Sequence, residues 1–182
     1  MTTPLRVGRT RELALAGIAV AGLAFAVGAL AQHGLGANGF AWAAVQLGLA
    51  GVAAYDVATR RIRNLVTLPG ALLAVVVRAA FERGALLEVI VAGAVVLAAF
   101  VALALMLPGG FGMGDAKLAG LLGFLLGSSV VPALLIGTLA GGAIGAVLLA
   151  RSRSRGATIA YGPYLALGAA IAIVAFNPPR LV

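Results

Sequence analysis

Residues 13–55 read LALAGIAVAGLAFAVGALAQHGLGANGFAWAAVQLGLAGVAAY and carry no formal charge over 43 consecutive positions. Three further uncharged runs cover residues 89–114, 118–150 and 156–179. A helix that crosses a membrane needs about 20 mostly apolar residues. The runs are continuously apolar and lack the alternation that is typical of transmembrane barrel strands. The sequence therefore predicts an all-α fold, a polytopic membrane helix bundle.

The composition of the 182-residue chain excludes several other classes of protein. Hydrophobic residues make up 63% of it and charged residues 10%, against about 45–50% and about 25% in soluble domains. The sequence has no cysteine and one histidine, His33. It therefore offers no disulfide, no thiol nucleophile and no cysteine or multi-histidine metal site. We expect neither a metal nor another cofactor.

Seven hydrophobic segments and the positions of the basic residues predict a topology. With the N-terminus in the cytoplasm, ten basic residues lie inside and three outside, as expected for cytoplasmic loops rich in Lys and Arg. The fifth segment is short and could fuse with the sixth, but fusion would place the arginines of residues 151–155 outside. We therefore predict six core spans and one N-terminal span. The segments lie near residues 12–31, 40–57, 65–82, 87–107, 115–127, 130–150 and 157–176.

The net charge of +8 is explained by this topology and by anionic lipid headgroups. The arginines lie in short loops without interleaved aromatic residues, so we expect membrane lipid as a partner and no nucleic acid. We divide the chain into an N-terminal transmembrane helix with its outer loop, residues 1–39, and a membrane domain, residues 40–182.

The first helix also fits a second interpretation. Its apolar run ends in Ala29-Leu30-Ala31, which is similar to a signal-peptide cleavage site. The run from Leu13 is longer than the usual 7–15 residues of such a peptide, which favours a retained helix. Cleavage would leave six spans in the same orientation.

Two of the five acidic residues stand out. Asp56 ends the 43-residue uncharged run, and Asp115 opens the fifth segment after Gly112-Met113-Gly114. A carboxylate within a membrane is costly and by default marks a functional site. In the predicted topology both aspartates lie at the cytoplasmic ends of their helices. The remaining acids lie at a helix start or beside an outer loop: Glu12, Glu82 and Glu88.

Paired carboxylates at one depth are typical of aspartic proteases. Two neighbouring carboxyl groups share a proton, so that one activates water while the other donates to the scissile carbonyl. Other interpretations remain open at this point. Asp56 could pair with Arg60 one helical turn on, and Asp115 could be a first-turn acid beside Lys117. A small transporter could also bind a proton or cation at both aspartates.

Residues 112–118, GMGDAKL, resemble the GxGDxK motif of the type IV prepilin peptidases, which are GxGD intramembrane aspartic proteases. Gly112 and Gly114 would let a substrate backbone approach the carboxylate. Asp56 is followed by Ile62-Arg63-Asn64, similar to the family's Asp, five residues, then Ile-Pro-Asn, with Arg63 where proline is usual. Residues 160–168, AYGPYLALG, resemble its late PFGPFLALG segment, with alanine for the first proline. The resemblance covers about residues 40–176.

This resemblance implies an endopeptidase at the cytoplasmic face of the bacterial inner membrane. It would cleave the basic leader of a prepilin-like or pseudopilin-like substrate, with Asp56 and Asp115 as the catalytic pair. The chain is similar to the short, peptidase-only form, so we expect neither zinc nor N-methyltransferase activity. The residues expected to bind substrate or shape the site are Gly112, Gly114, Lys117, Asn64, Tyr161, Gly162 and Pro163.

Several of these residues have simpler explanations. Lys117 could orient substrate or tune the neighbouring carboxylate, or it could be a topology anchor. Asn64 could bond the loop after the first aspartate or cap the third helix. Residues 161–163 could line the entrance to the site or belong to an interfacial aromatic belt. Trp42 is expected to be an anchor at the outer interface, and His33 an exposed loop residue without a catalytic role.

Overall fold

The computed structural model of the chain describes residues 4–62, 64–106, 112–152 and 161–182. Arg63, Ala160 and the loop arginines 153 and 155 lie outside the described residues. All the regular secondary structure of the described residues is helical, which confirms the predicted all-α class. The helices are α1 (Pro4–His33), α2 (Ala37–Thr59), α3 (Asn64–Phe81), α4 (Leu86–Met106), α5 (Met113–Leu126), α6 (Val130–Ser152) and α7 (Gly162–Ala175), with 3₁₀ turns at Arg83–Ala85 and Gly127–Ser129.

The longer helices have the length and hydropathy of membrane spans. Large apolar side chains such as Leu23, Leu72 and Val95 are more than half exposed on α1, α3 and α4, as expected where lipid is the surrounding solvent. The helix α7 is apolar but shorter than a full span. Among the described residues, five stretches are long and apolar enough to cross a membrane: Arg11–His33, Ala37–Thr59, Asn64–Phe81, Arg83–Met106 and Met113–Leu148.

Within Met113–Leu148, α5 and α6 are two separate helices. Gly127, with φ +57°, ends α5 and begins the 3₁₀ turn before α6. Because α6 then runs back along α7 toward the start of α5, the fifth and sixth segments do not fuse. With 14 residues, α5 is about 21 Å long, which is less than the roughly 30 Å of a hydrocarbon core.

Small residues set the close packing of neighbouring helices. Gly123 of α5 lies against Gly93 of α4, and Gly137 of α6 lies against the backbone of Tyr164 on α7. A Cβ on Gly137 would lie 2.8 Å from the Tyr164 carbonyl oxygen. In lipid, small residues at an interface let helix backbones approach closely. Gly137, and Gly141 one helical turn further on, which lies against the ring of Tyr161, therefore serve packing within the chain.

The bundle has two distinct ends. At one end, which we call the aspartate end, the last turn of α2 meets the first turn of α7 through Asp56 and Gly162. At the other, the distal end, the start of α4 meets the turn after α5, where Ser128 N–H donates to Glu88 Oε1 at 2.7 Å. The C-terminal segment also lies at the distal end, because Leu181 N–H donates to Asn38 Oδ1 near the start of α2.

Trp42 and His33 differ from their predicted positions. Trp42 is fully buried and stacks on His33 with 5.8 Å between ring centroids, so the prediction of an interfacial anchor is wrong. His33 is half-buried in the last turn of α1, with Nε2 2.9 Å from the Ile173 carbonyl oxygen of α7, so it is not an exposed loop residue. The short connection between α1 and α2 brings both rings under the end of α7.

The N-terminal helix packs along α2 and also touches α7. A Cβ on Gly22 of α1 would lie 2.5 Å from Ala50 Cβ on α2, which shows how closely the two backbones approach. The boundary at residue 39 stays a prediction, because α1 shares its packing with the helices that follow it.

A buried arginine holds the distal end together. Arg78, on the last turn of α3, is fully buried, and its Nη2 donates to the Leu125 carbonyl at 2.7 Å and the Pro179 carbonyl at 3.0 Å. Carbonyls in the last turn of a helix have no partner within the helix. Arg78 therefore caps α5 and fastens the C-terminal segment to it.

We expect Arg78→Leu to lower the melting temperature of the detergent-solubilised protein clearly. The substitution leaves two carbonyls without a donor, at a cost of about 1–3 kcal/mol for each buried group. Arg83→Leu is the matched control, because Arg83 is exposed and donates to the Ala79 carbonyl of the preceding turn; it should change stability by less than about 0.5 kcal/mol. Equal melting temperatures for the two variants would contradict the role assigned to Arg78.

Candidate active site

Asp56 is a buried carboxylate that joins two helices. It lies on the last turn of α2, is 3% exposed, and its Oδ2 accepts a hydrogen bond of 3.1 Å from the Gly162 backbone N–H. Arg60 ends α2 in the left-handed conformation and donates its backbone N–H to the Asp56 carbonyl. Arg60 therefore approaches Asp56 through the backbone, and the buried carboxylate is satisfied from α7.

The start of α7 is suited to this contact. The first N–H groups of a helix lack partners within the helix, and its positive end favours a carboxylate. A Cβ on Gly162 would lie 2.7 Å from Asp56 Oδ2 and 3.1 Å from Ile62 Cδ1, so the close approach requires glycine. Pro163 follows as an early helical residue, where its missing N–H costs little.

Asp115 lies in the first turn of α5 and is half-buried. Its carboxylate bonds the Gly112 backbone, and a Cβ on Gly112 would lie 2.8 Å from Oδ2. A Cβ on Gly114 would instead lie 3.1 Å from Ile62 Cβ, in the segment after α2. One glycine of the pair thus makes room for the carboxylate, and the other lets α5 approach the chain that follows Asp56.

The structure brings the two aspartates together at the aspartate end. Asp56 lies close enough to Asp115 for the two charges to repel one another. Ile62 contacts the positions of both Gly114 and Gly162, so the surroundings of the two carboxylates form one continuous cluster. Carboxylates that are 59 positions apart in the sequence become neighbours because α2, α5 and α7 converge here.

Lys117 and Asn64 form a polar link beside the aspartates. Lys117 Nζ, two residues after Asp115, donates to Asn64 Oδ1 at 2.9 Å. Asn64 is the first residue of α3 and follows the segment that carries Ile62. The link therefore ties the first turn of α5 to the chain between α2 and α3.

Tyr161 joins the start of α7 to α6. Its hydroxyl donates to the Thr138 carbonyl at 3.0 Å, and its ring occupies the space where a side chain on Gly141 would lie. Tyr161 is also close enough to Asp115 for the carboxylate charge to act on it. Of the residues predicted to line the site, Tyr161 and Gly162 thus contact it, whereas Pro163 faces a neighbouring groove.

Asp56 and Asp115 lie near the ends of their own helices, but α6 extends beyond them along the axis of the bundle. The level of Tyr161 corresponds to Gly141 on α6, and α6 continues to Ser152, about 16 Å further at 1.5 Å per residue. In the other direction α7 extends about 20 Å from Gly162 to Ala175. Since a hydrocarbon core is about 30 Å thick, the carboxylates are recessed from the end of the bundle.

The roles of two residues, Ile62 and Gln46, were not predicted from the sequence. Ile62 was noted only as part of a motif, although it packs between the two carboxylate neighbourhoods. Gln46 is 1% exposed on α2, and its Nε2 donates to the Ala170 carbonyl at 3.0 Å. The available signal for Gln46 was that it is the one amide side chain in the second predicted segment, residues 40–57. Among the described residues, no three His, Asp or Glu side chains cluster as metal ligands would.

Comparison with known proteins gives one match. A family model described as the type IV leader peptidase family matches residues 43–149, more than half of the chain. The matched stretch contains Asp56, Asn64, Asp115 and Lys117 but ends before α7. No curated protein and no solved structure matches the chain.

We expect Gly162→Ala to destabilise the protein, because the new Cβ would force Asp56 or Ile62 to move. Overpacking of this kind costs about 1–3 kcal/mol. Gly142→Ala is the control, since a Cβ on Gly142 meets nothing within 4 Å and alanine is the better helix former. Thermal melting in detergent should show a lower melting temperature for Gly162→Ala only. A melting temperature of Gly162→Ala equal to that of the parent protein would argue against the tight contact.

Proposed function

This chain belongs to the type IV leader peptidase family, and we propose that it is an aspartic endopeptidase whose catalytic pair is Asp56 and Asp115. The observation that carries the proposal is that Ile62 packs against both Gly162, whose N–H bonds the Asp56 carboxylate, and Gly114, which directly precedes Asp115. The other three acids are not buried with this pair. Glu12 is exposed near the start of α1, and Glu82 and Glu88 lie toward the distal end.

The surroundings support different roles for the two carboxylates. Each carboxylate faces the start of a helix and has a backbone hydrogen-bond donor. Asp56 accepts the Gly162 N–H of α7, and Asp115 bonds the Gly112 backbone before α5. We assign Asp56 as the base, because its donor belongs to a second helix that holds the carboxylate in place. Asp115, half-buried and beside the charge of Asp56, then carries the proton that the pair shares. This division uses only the neighbours of each carboxylate.

The reaction follows from these roles. Asp56 takes a proton from a water molecule, and the water oxygen attacks the scissile carbonyl carbon while Asp115 donates its proton to the carbonyl oxygen. The tetrahedral intermediate collapses as the C–N bond breaks, and the leaving amine receives the proton held by Asp56. The hydroxyl proton of the intermediate returns to Asp115, so the pair regains its starting protonation.

Lys117 and Asn64 act as positioning residues in this proposal. Their 2.9 Å hydrogen bond fixes α5 relative to the segment after Asp56, and thereby the position of Asp115 relative to Asp56. Small displacements of catalytic groups are costly, because a misplacement of about 1 Å can lower a rate about 100-fold. The polar link lies beside the reacting atoms and does not itself take part in the proton transfers.

We further propose that the aspartate end faces the cytoplasm of a bacterium, with the chain in the inner membrane. Cytoplasmic segments are enriched in basic residues, and four described basic side chains lie at the aspartate end against three toward the distal end. The four are Arg11, Arg60, Arg61 and Lys117, and the three are Arg78, Arg83 and Arg180.

The substrate would then be a prepilin-like or pseudopilin-like protein with a basic leader before an apolar helix.

We expect Asp56→Asn and Asp115→Asn each to abolish cleavage of a co-expressed prepilin-like protein, measured as loss of the leader by mass spectrometry. Either substitution removes the exchange of a proton between two carboxyl groups. General acid–base groups contribute about 10²–10⁴-fold to a rate, and the two variants should lose at least that much.

Glu12→Gln is the matched control for these substitutions, because it removes a carboxylate that is exposed on α1. It should leave cleavage unchanged. Full cleavage by either aspartate variant would exclude the catalytic pair. A proton flux that the parent protein carries and both aspartate variants lose, without any cleavage, would favour a transporter instead.

We expect Lys117→Met and Asn64→Leu each to lower kcat about tenfold with little change in KM. Because the two residues contact each other, the double variant should be no slower than the slower single variant. Initial rates on a purified prepilin-like substrate measure this. Additive losses would show that the two residues act separately and would contradict the proposed link.

A further inference from the structure

A groove lies between α1, α2 and α7, and neither Asp56 nor Asp115 is among the residues that line it. It encloses about 330 Å³. Its lining is almost entirely apolar, and small residues of all three helices form most of it. Its lining includes Gly17, Gly22, Gln46, Ala53, Pro163 and Leu167.

The groove begins beside the proposed active site. Ala53 lies about one helical turn before Asp56 on α2, and Pro163 directly follows Gly162, whose N–H bonds the Asp56 carboxylate. From there the groove extends to Gln46, seven residues back along α2, which is about 10 Å at 1.5 Å per residue. A chain lying in the groove would therefore have one end at the carboxylates and would run toward the distal end.

The walls of the groove suit a helix. Glycines and alanines on all three helices leave the backbone accessible, and in lipid such surfaces let another helix pack closely. Gly17 lies on the α1 wall, where a Cβ would meet nothing within 4 Å. Leu167 of α7 is 39% exposed and forms part of the opposite wall. The groove is thus open at the surface of the bundle.

A buried amide distinguishes a polypeptide from a lipid as the occupant. Gln46 lines the groove and is 1% exposed. Its Nε2 donates to the Ala170 carbonyl, while its buried Oε1 has no hydrogen-bond partner among the described residues. An unsatisfied polar group in the hydrocarbon region costs several kcal/mol. An acyl chain offers no donor, whereas a helix with a hydroxyl or amide side chain does.

We propose that this groove receives the apolar helix of the protein substrate, with Gln46 Oε1 accepting a hydrogen bond from a polar side chain of that helix. The proposal rests on the function proposed above and adds the place where the substrate helix docks. The helix would lie along α2 and α7, and the segment before it would reach Asp56 and Asp115.

Site-specific crosslinking tests the docking independently of cleavage. A photoreactive residue replaces Leu167 in the groove, and in a control it replaces Val95, which is 61% exposed on α4. A prepilin-like protein with a basic leader and one apolar helix is co-expressed in each case. We expect a covalent adduct with this protein from position 167 only. Equal adducts from both positions, none from 167, or only lipid adducts at 167 would overturn the proposal.

A kinetic comparison separates failure of the groove from failure of the proposed function. Gly17→Phe fills the groove, whereas Gly48→Phe adds the same side chain to an exposed glycine of α2 outside it, and a Cβ at either position meets nothing within 4 Å. We expect Gly17→Phe to raise KM about tenfold or more for the full-length substrate. It should leave cleavage of a peptide that lacks the apolar helix unchanged.

Gly48→Phe should behave as the parent protein on both substrates. An unchanged KM in Gly17→Phe, with the parent protein active, overturns the groove and leaves the peptidase function intact. A parent protein that cleaves neither substrate overturns the peptidase function, while the crosslinking result still decides whether the groove binds the helix.

Discussion

The hydrogen bond from the Gly162 N–H to the buried Asp56 carboxylate is the constraint on which the arrangement of the bundle depends. A carboxylate within an apolar bundle is tolerated only if a donor reaches it. The first turn of α7 supplies that donor without a second charge. Because a Cβ at position 162 would collide with the carboxylate, the whole of α7 must lie close to α2.

This position of α7 requires further close contacts. The backbone of α7 reaches its place by packing against α6 at Gly137 and Gly168. On its other side α7 runs beside α5, whose first turn carries Asp115. Of the two glycines before Asp115, Gly112 lies against its carboxylate and Gly114 lies against Ile62. The glycines at these contacts therefore determine how closely Asp56 and Asp115 approach one another.

The contacts at the distal end hold the opposite ends of the same helices. Arg78 and Glu88 cap the end of α5 and the turn that follows it. Since α5 is only 14 residues long, its two ends determine the depth of Asp115 within the bundle. A short helix that is fastened at its far end therefore places its first turn well inside the length of α6.

The sequence predicted the membrane class, seven helical segments, the separation of α5 from α6 and the two unusual aspartates. Uncharged runs and basic flanks carry this information locally, because the cost of charge in lipid depends on each segment alone. Trp42 and His33 were misjudged for the same reason. Their burial depends on the position of the end of α7, more than 120 residues away, and no local pattern reports it.

The sequence by itself thus determined which segments can lie in a membrane, and that Asp56 and Asp115 are the two carboxylates whose placement there costs free energy. Only the tertiary structure decided that Gly162 donates to Asp56, that Lys117 bonds Asn64 rather than a carboxylate, and that Gln46 lies beside a groove. These contacts join residues from different helices. They depend on backbone distances set by small side chains, which a hydropathy pattern does not record.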